Sequence, residues 1–497
     1  MNNGQQSRII KGGMLNLVLI ISFCPPFSIA VLVPMVNLTP NPSYSVDLLL
    51  ELPNQSGMLS TVTQAIADAG GSFGQISLIE STLKFTHREI TVNASSSEHA
   101  DQIVEAVKAL ENIKLMRVSD RTFELHRRGK ISVESRIPLT AQSDLAMAYT
   151  PGVGRICRAI AEDPEKVYSL TIKSNTVAVV TDGSAVLGLG NLGPEAALPV
   201  MEGKAMLFKE FAQIDAFPIC LDTQDTEEII RTVKAIAPVF GGINLEDIAA
   251  PRCFEIEARL KKELNIPVFH DDQHGTAIVT LAALLNALKI VHKSLDSIRI
   301  VINGAGAAGL AIAELLGQAG VKEIWICDTK GIVSKDRTDL NSKKQALAVE
   351  TKGTLVDAMQ GADVFLGVSA PGVVTREMVQ SMAKDPIVFA MANPIPEIQP
   401  ELIQQDAAVI ATGRSDYPNQ INNVLAFPGV FRGALDCRSS AITNTMCLEA
   451  AKAIASLVSS HHLDREHIVP SVFDPRVSPS VASAVQLAAR TEGIAAE

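Results

Sequence analysis

The chain reads as an α/β protein, with a small α+β module in front and strand and helix patterns alternating from there to the C-terminus. Three observations carry this reading. Residues 45–120 switch between the two-residue and the helical hydrophobic period in the order βαββαβ. Beyond about residue 130, apolar runs of strand length alternate with longer helical patterns, as parallel sheets require. At 497 residues the chain also exceeds one ordinary core and points to about three domains. Its 47% hydrophobic and 20% charged residues are enough to fill those cores.

The N-terminus comes first. From Met14 to Val36 there is no charge, and Lys11 precedes the run, as in a signal peptide or short membrane span. Pro25, Pro26 and Pro34 interrupt it, and a helix interior tolerates proline poorly. No convincing small-x-small cleavage site follows. Residues 1–44 are therefore expected to be an extension outside the fold, with Met35 as an alternative start; membrane association is the lesser reading.

Residues 45–122 form the first expected domain. SVDLLLEL is a strand, and Met58, Leu59, Val62, Ile66 and Ala69 lie at helical spacing. FGQISLIE and THREITVNA are strands, residues 98–110 a helix, and NIKLMRVS the last strand. This is a ferredoxin-like order. With the turn Pro53-Asn54-x-x-Gly57 it resembles the ACT domain, a module that commonly binds amino acids and related effectors. The resemblance implies a small-molecule effector; a packing domain without ligand is the competing reading. Residues 121–136, with Arg121, Arg127, Arg128 and Lys130, read as a charged, solvated linker.

Composition excludes some classes of function. A formal charge of −11, with no concentrated basic stripe, argues against nucleic acid as a partner. Seven cysteines, at 24, 157, 220, 253, 327, 437 and 447, form no C-x-x-C pair. That pattern fits reduced, mostly buried thiols in a cytoplasmic protein.

Two further domains are expected, at 130–294 and 295–497. The second begins at the strand IRIVIN, followed by Gly304, Ala305, Gly306, Ala307, Ala308 and Gly309, a helix of small and apolar residues, and a strand EIWICD ending in Asp328. This is the dinucleotide fingerprint of a doubly wound Rossmann sheet. Its glycines let a pyrophosphate approach a helix N-terminus, and an acid takes the ribose hydroxyls. Asp328 favours NAD, because a carboxylate repels a 2′-phosphate; Lys330 nearby is a potential offset, so NADP stays open. Another G-x-G-x-x-G, at Gly188, Gly190 and Gly193, follows a less regular segment and precedes Pro194. It reads as a backbone turn near the substrate cleft.

Candidate chemistry lies between residues 149 and 275. Tyr149 stands ahead of a Pro-Gly turn and by default is a packing residue with its hydroxyl in water. In PVMEGKAMLFKEFA, helical spacing puts Val200, Met201, Lys204, Leu207, Phe208 and Phe211 on one face. An ammonium there is poorly solvated, so its pKa is expected to fall, which suits a general base. Equally, its stem could pack while the amine reaches water. Glu246-Asp247 and Asp271-Asp272 each end an apolar stretch, where parallel sheets gather ligand sites. Two such acid pairs can make an oxygen cage for Mg²⁺ or Mn²⁺, or serve only as helix caps. His270 and His274 do not suit zinc: no glutamate lies between them, and the segment follows a strand and runs into Gly275.

YTPGVG, EGKAMLFKEFA, NLEDI, HDDQHGTA, GAGAAG, MANPIPEI and GRSDYPNQINNVLAFPG resemble the bacterial-type malic enzymes, from about residue 130 to the C-terminus. The resemblance implies divalent-metal-dependent oxidative decarboxylation of malate to pyruvate with NAD or NADP. It implies Tyr149 as general acid, Lys204 as general base and Asp271 as the lysine's partner. Glu246, Asp247 and Asp272 become metal ligands, Asn393 and Asn423 contact malate, and the histidines are structural. Two departures stand out. No arginine precedes LGLG, where larger eukaryotic relatives carry one and Val186 stands here, and an ACT-like module is fused in front. A homo-oligomer, dimer or higher, is expected. The competing functions are malolactic conversion to lactate on the same scaffold and a catalytically silent effector-binding protein.

Overall fold

The computed structural model describes residues 39–496, together with the backbone of two short antiparallel strands, Leu17–Leu19 and Leu32–Pro34. The rest of the apolar N-terminal stretch, read above as an extension or leader, lies outside the described residues. The chain divides into two compact units, 1–129 and 130–497.

The first unit carries the βαββαβ order that its hydrophobic periods predict. A four-stranded antiparallel sheet runs in the order Ser72–Ser81, Phe85–Ala94, Asn41–Pro53, Lys114–Asp120. The helices Met58–Asp68 and Ser97–Lys108 bury Val62, Ile66, Ile103, Val104 and Val107 in one cluster with Leu48, Leu50, Leu52, Ile90 and Val92. The side chains alternating with those on the two central strands, Glu51 and His87 among them, point away from that core. The supposed linker is in part a helix, Arg121–His126, because the Asp120 side chain caps it by accepting from the Phe123 N–H at 3.1 Å. Lys130 is also more than a solvated charge, since its ammonium donates to the Pro199 carbonyl at 2.7 Å.

The second unit holds two parallel sheets. In the first, the order is Val268–His270, Gly242–Leu245, Thr176–Thr181, Asp215–Cys220, all parallel. The chain starts at Thr176–Thr181, moves to one edge and returns to fill the other side. That places a switch of strand order between Thr176–Thr181 and Gly242–Leu245, where side chains beyond the carboxyl ends can surround a ligand. The second sheet has six strands, in the order Gly331–Ile332, Glu323–Asp328, Arg299–Asn303, Val364–Gly367, Ile387–Ala390, Val409–Thr412. Only the first of these runs antiparallel. Counted along the chain this is 3-2-1-4-5-6, the doubly wound dinucleotide order.

One hydrophobic cluster joins the two sheets. Helix Thr276–Val291 is apolar on nearly every side, and it packs Ile278, Leu281, Leu284 and Leu288 together with Phe208 of one half and Ile300, Leu366 and Phe427 of the other. Its one amide, Asn286, donates to the Ala455 and Ile468 carbonyls at 2.9 and 2.8 Å, so no polar group is stranded. With the preceding turn, Asp271–Val291 is the one described helix long and apolar enough to cross a bilayer, but 67% of its most apolar window is buried in the protein. It is a core helix.

A candidate active site at the strand ends

Lys204 sits in the helix Pro194–Ala212, which starts at Pro194 after the Gly193 turn. Of the predicted face, Met201, Lys204 and Phe208 are buried, while Val200, Leu207 and Phe211 pack partly buried against the core. The ammonium does not reach water. It lies 2.6 Å from Asp271 Oδ2, 2.9 Å from Glu246 Oε1 and 4.3 Å from the centre of the Phe427 ring. This overturns the expected fall in its pKa. Burial does push the lysine down, but Asp271 and Glu246 outweigh it and hold the proton above the ordinary lysine range.

The acids come from two neighbouring parallel strands. Glu246 and Asp247 follow Gly242–Leu245, and Asp271 and Asp272 follow Val268–His270. The Asp247 N–H donates to Asp272 Oδ2 at 2.8 Å, tying the two loops together. Asp247 takes the left-handed conformation, φ 54°, which a short polar side chain tolerates. Burial raises all four carboxyls: Glu246 and Asp271 to about 7, Asp247 to about 8 and Asp272 to about 6. Four acids share one ammonium, and mutual repulsion adds to the burial.

Oxygens of Glu246, Asp247 and Asp272 lie within 4.8 Å of one another, the one such metal-competent group among the described residues. Asp247 Oδ2 is buried with no hydrogen-bond donor. A hard divalent cation fits this set: three carboxylates, no soft ligand and an acceptor without a donor. Zinc held by two histidines does not. His270 is fully buried, with a pKa pushed down to about 4 by burial, while His274 pairs with Glu257 at 2.8 Å.

Glu257 is a residue the sequence reading missed. It is buried in the helix Arg252–Glu263, where it also receives the His270 N–H at 3.1 Å, Gln273 Nε2 at 3.3 Å and Lys261 Nζ at 2.8 Å. Burial raises Glu257, but His274 and Lys261 outweigh it and hold the carboxyl below the usual range. It therefore clamps the turn that carries Asp271 and Asp272. The signal was available: Cys253, Ile256, Glu257 and Leu260 share one helical stripe, so an acid falls on an apolar face.

Asn423 reaches the cluster from the other half of the unit and donates to Asp271 Oδ2. Asn393 lies by the Gly188 turn, whose backbone reverses where the second glycine pattern was read as a turn. A Cβ on Gly188 would come 3.6 Å from the Asn393 carbonyl. Tyr149 is not drawn into the cluster. It ends the helix Gln142–Ala148, is 67% exposed, and its hydroxyl makes no hydrogen bond among the described residues.

The dinucleotide turn follows strand Arg299–Asn303 and opens helix Ala307–Gln318. A Cβ on Gly304 would collide with the Val368 carbonyl, and one on Gly309 with the Gly304 carbonyl. Close packing of strand and helix therefore demands both glycines. Asp328 ends the neighbouring strand, but it is no bare carboxylate: Arg337 grips it with two hydrogen bonds, of 2.8 and 2.9 Å, and Lys344 with a third of 2.9 Å. Burial raises Asp328, but these partners outweigh it and draw it to about 2. The suspected offset from Lys330 comes instead from Arg337 and Lys344, since the Lys330 ammonium binds Asp339 at 2.8 Å.

A doubly wound dinucleotide sheet joined to a parallel sheet with strand-end acids that can hold a cation defines the class, a two-domain protein with a dinucleotide-type fold and a charged strand-end site. Comparisons with known proteins say which. Residues 128–261 match the malic enzyme N-terminal domain, 273–490 the malic enzyme NAD binding domain, and 40–116 the ACT domain. The chain is 58% identical over 456 residues to the NAD-dependent malic enzyme of Geobacillus stearothermophilus, covering 91% of this chain and 95% of that one. It is 57% identical over 389 residues to the bifunctional malic/malolactic enzyme of Bacillus subtilis (strain 168), covering 76% and 95%. Among solved structures, the NAD-dependent malic enzyme of Thermotoga maritima superposes with a TM-score of 0.71 at 50% identity, covering 74% of this chain and 99% of that one. The chain belongs to the malic enzyme family and carries an ACT domain in front.

Proposed function

We propose that the chain oxidises malate and decarboxylates it to pyruvate and CO₂ with reduction of NAD, and that its buried lysine and strand-end carboxylates perform the proton chemistry. The observation that carries this is one ammonium buried among four acids at the carboxyl ends of a parallel sheet. We assign Glu246, Asp247 and Asp272 to hold Mg²⁺ or Mn²⁺, which when bound supplies Lewis-acid stabilisation of negative charge on the substrate's oxygens. The glycine turn holds NAD, the acceptor of the C2 hydride.

Lys204 takes the proton from the malate 2-hydroxyl. Its high affinity for a proton rests on two partners, and one of them, Glu246, belongs to the cation-binding trio. A cation held by Glu246 would weaken that carboxylate's hold on the ammonium, leaving Asp271 and burial to set how firmly Lys204 keeps its proton. Asn423 fixes Asp271, and Asn393 and Asn423 orient the substrate. Tyr149 returns a proton to C3 after CO₂ leaves.

Three further readings accompany this one. Helices Gln142–Ala148, Val153–Glu162 and Lys166–Leu170 bury no side chain, and Met147 and Val133 are 69% and 87% exposed. An apolar surface of this kind fits a homo-oligomer, for which light scattering of the eluted protein gives the mass. The ACT domain fits regulation by a small effector, which a screen for ligands that shift the malate KM tests. The six described cysteines are free, which suits a cytoplasmic enzyme.

The deciding assay supplies malate, Mn²⁺ and NAD and measures pyruvate and free NADH. Equimolar pyruvate and NADH support the reading. Lactate without net NADH would instead give the malolactic reaction, which the similarity to a bifunctional relative keeps in view. No product of either kind would leave a silent binding protein.

A further inference from the structure

We propose that Glu397 is a positioning residue for the reaction: its buried carboxylate ties the dinucleotide crevice to the asparagine assigned to malate, so that filling one site tightens the other. The tie rests on the malate reading above for the role of Asn393, and on a chain of hydrogen bonds for the rest.

Glu397 is fully buried, and among the described residues no lysine, arginine or histidine pairs with it. Burying an acid without an opposite charge is costly unless hydrogen bonds offset it. Three bonds do so here, and they come from two different loops. Oε1 accepts the Ser369 N–H at 2.8 Å and the Ser369 hydroxyl at 3.1 Å. Oε2 accepts the Ala392 N–H at 3.0 Å. Only a carboxylate serves both loops. An amide offers one acceptor oxygen, and its NH₂ would face an N–H on the other side. A Cβ on Gly367 would collide with this carboxyl, so the strand end is closed up against it.

The two loops belong to the two sites. Ser369 lies just beyond strand Val364–Gly367, which pairs with Arg299–Asn303 at the point where the strand order of the sheet reverses. A dinucleotide lies in the crevice beyond the carboxyl ends of such a pair. Asn303, next to Gly304 of the glycine turn, donates across that crevice to the Ser369 hydroxyl at 2.8 Å. Ala392 follows strand Ile387–Ala390 and immediately precedes Asn393. On the other side of Asn393, the Pro394 carbonyl accepts Arg414 Nη1 at 3.1 Å, so both neighbours of the asparagine are held. The path therefore runs from the glycine turn through Asn303, Ser369 and Glu397 to Asn393. A ligand that fixes one end leaves less freedom to be lost when the second ligand fixes the other, which is positive coupling.

The test titrates malate by calorimetry into the full chain at saturating Mn²⁺, with and without NADH. Both ligands are then reduced, so no turnover intervenes. NADH should tighten malate at least about fivefold in the wild type. Glu397→Gln, which keeps the shape and breaks one loop's bond, should bring that ratio close to one. Ser369→Ala, at an exposed position, removes the hydroxyl that joins Asn303 to Glu397 and should shrink the ratio in the same direction even if Glu397→Gln fails to fold. The proposal is overturned if NADH leaves malate binding unchanged in the wild type. It is equally overturned if the ratio survives in the variants, including a Glu397→Gln protein that only melts at a lower temperature. Failure of the malate reading looks different: the wild type would take up no malate even with NADH bound, and this inference would fall with it.

Discussion

Two acid clusters in this molecule use the same chemistry and reach opposite outcomes. On the open face of the ACT-like sheet, His87 stands between Glu51 and Glu80, 3.1 Å from each, with the three side chains 21%, 31% and 58% exposed. There the side chains remain in contact with water, and the histidine is raised by Glu51 first and then by Glu80. In the catalytic unit, Lys204, Glu246 and Asp271 are 7%, 5% and 0% exposed. There the carboxyls themselves are raised and the lysine is bound to its proton. Ion pairs at a surface adjust; buried ones store an imbalance that a substrate and a cation can use. The expected experimental consequences differ accordingly, from large in the buried cluster to small in the exposed one.

The largest effects should come from the buried cluster. Lys204→Ala should cut malate oxidation roughly 10²- to 10⁴-fold, as loss of a general base does, and Asp272→Ala should abolish the cation dependence along with the activity. Steady-state rates at saturating Mn²⁺ decide this, and an Asp272→Ala enzyme running at wild-type speed would falsify the assignment. Tyr149→Phe should lose pyruvate formation while retaining part of its decarboxylation of added oxaloacetate, because only the proton to C3 is removed. Equal rates for both reactions in wild type and variant would make the tyrosine a packing residue.

Cation binding should also be visible without turnover. Mg²⁺ or Mn²⁺ at a hundred times its Kd should stabilise the wild type by about 2.7 kcal/mol and leave Asp272→Ala unmoved, with thermal melts after EDTA treatment as the readout. Next in size is the clamp behind the acids. Glu257→Ala removes the acceptor shared by His274, Lys261, Gln273 and the His270 N–H, and leaving buried donors unpaired costs about 1–3 kcal/mol. Denaturant titration measures it; a loss no greater than that of an exposed acid such as Glu449 would mean the clamp is idle.

The smallest effect belongs to His87. Its folded pKa lies above its ordinary 6.5, so protonated His87 adds stability that is fully present below that value and lost as pH rises through the raised one. His87→Gln should therefore lower Tm slightly in mild acid and not at all in alkali. A loss that is the same at both ends of the pH range would show that the histidine acts by packing alone.

The elements were legible because each is specified locally. The stripe of Val62 and Ile66, the alternation around Leu48 and Leu50 and the glycine spacing at 304, 306 and 309 are short-range patterns, and short-range geometry fixes the outcome. The helix at Arg121–His126 escaped because its charges masked a capping aspartate. Glu257 escaped because the stripe argument applied to Lys204 was not extended to an acid.

By itself, then, the sequence determined the strands and helices, the glycine turn, and the placing of both acid pairs at strand ends, since all of these follow from periodicity and backbone sterics within a few residues. Only the tertiary structure decided how charges behave. Lys204 meets Asp271 across 67 residues of chain, and Asp328 meets Lys344 across 16. A pKa depends on the distance to such partners and on the water excluded around them, and neither is written in the spacing of residues along a chain.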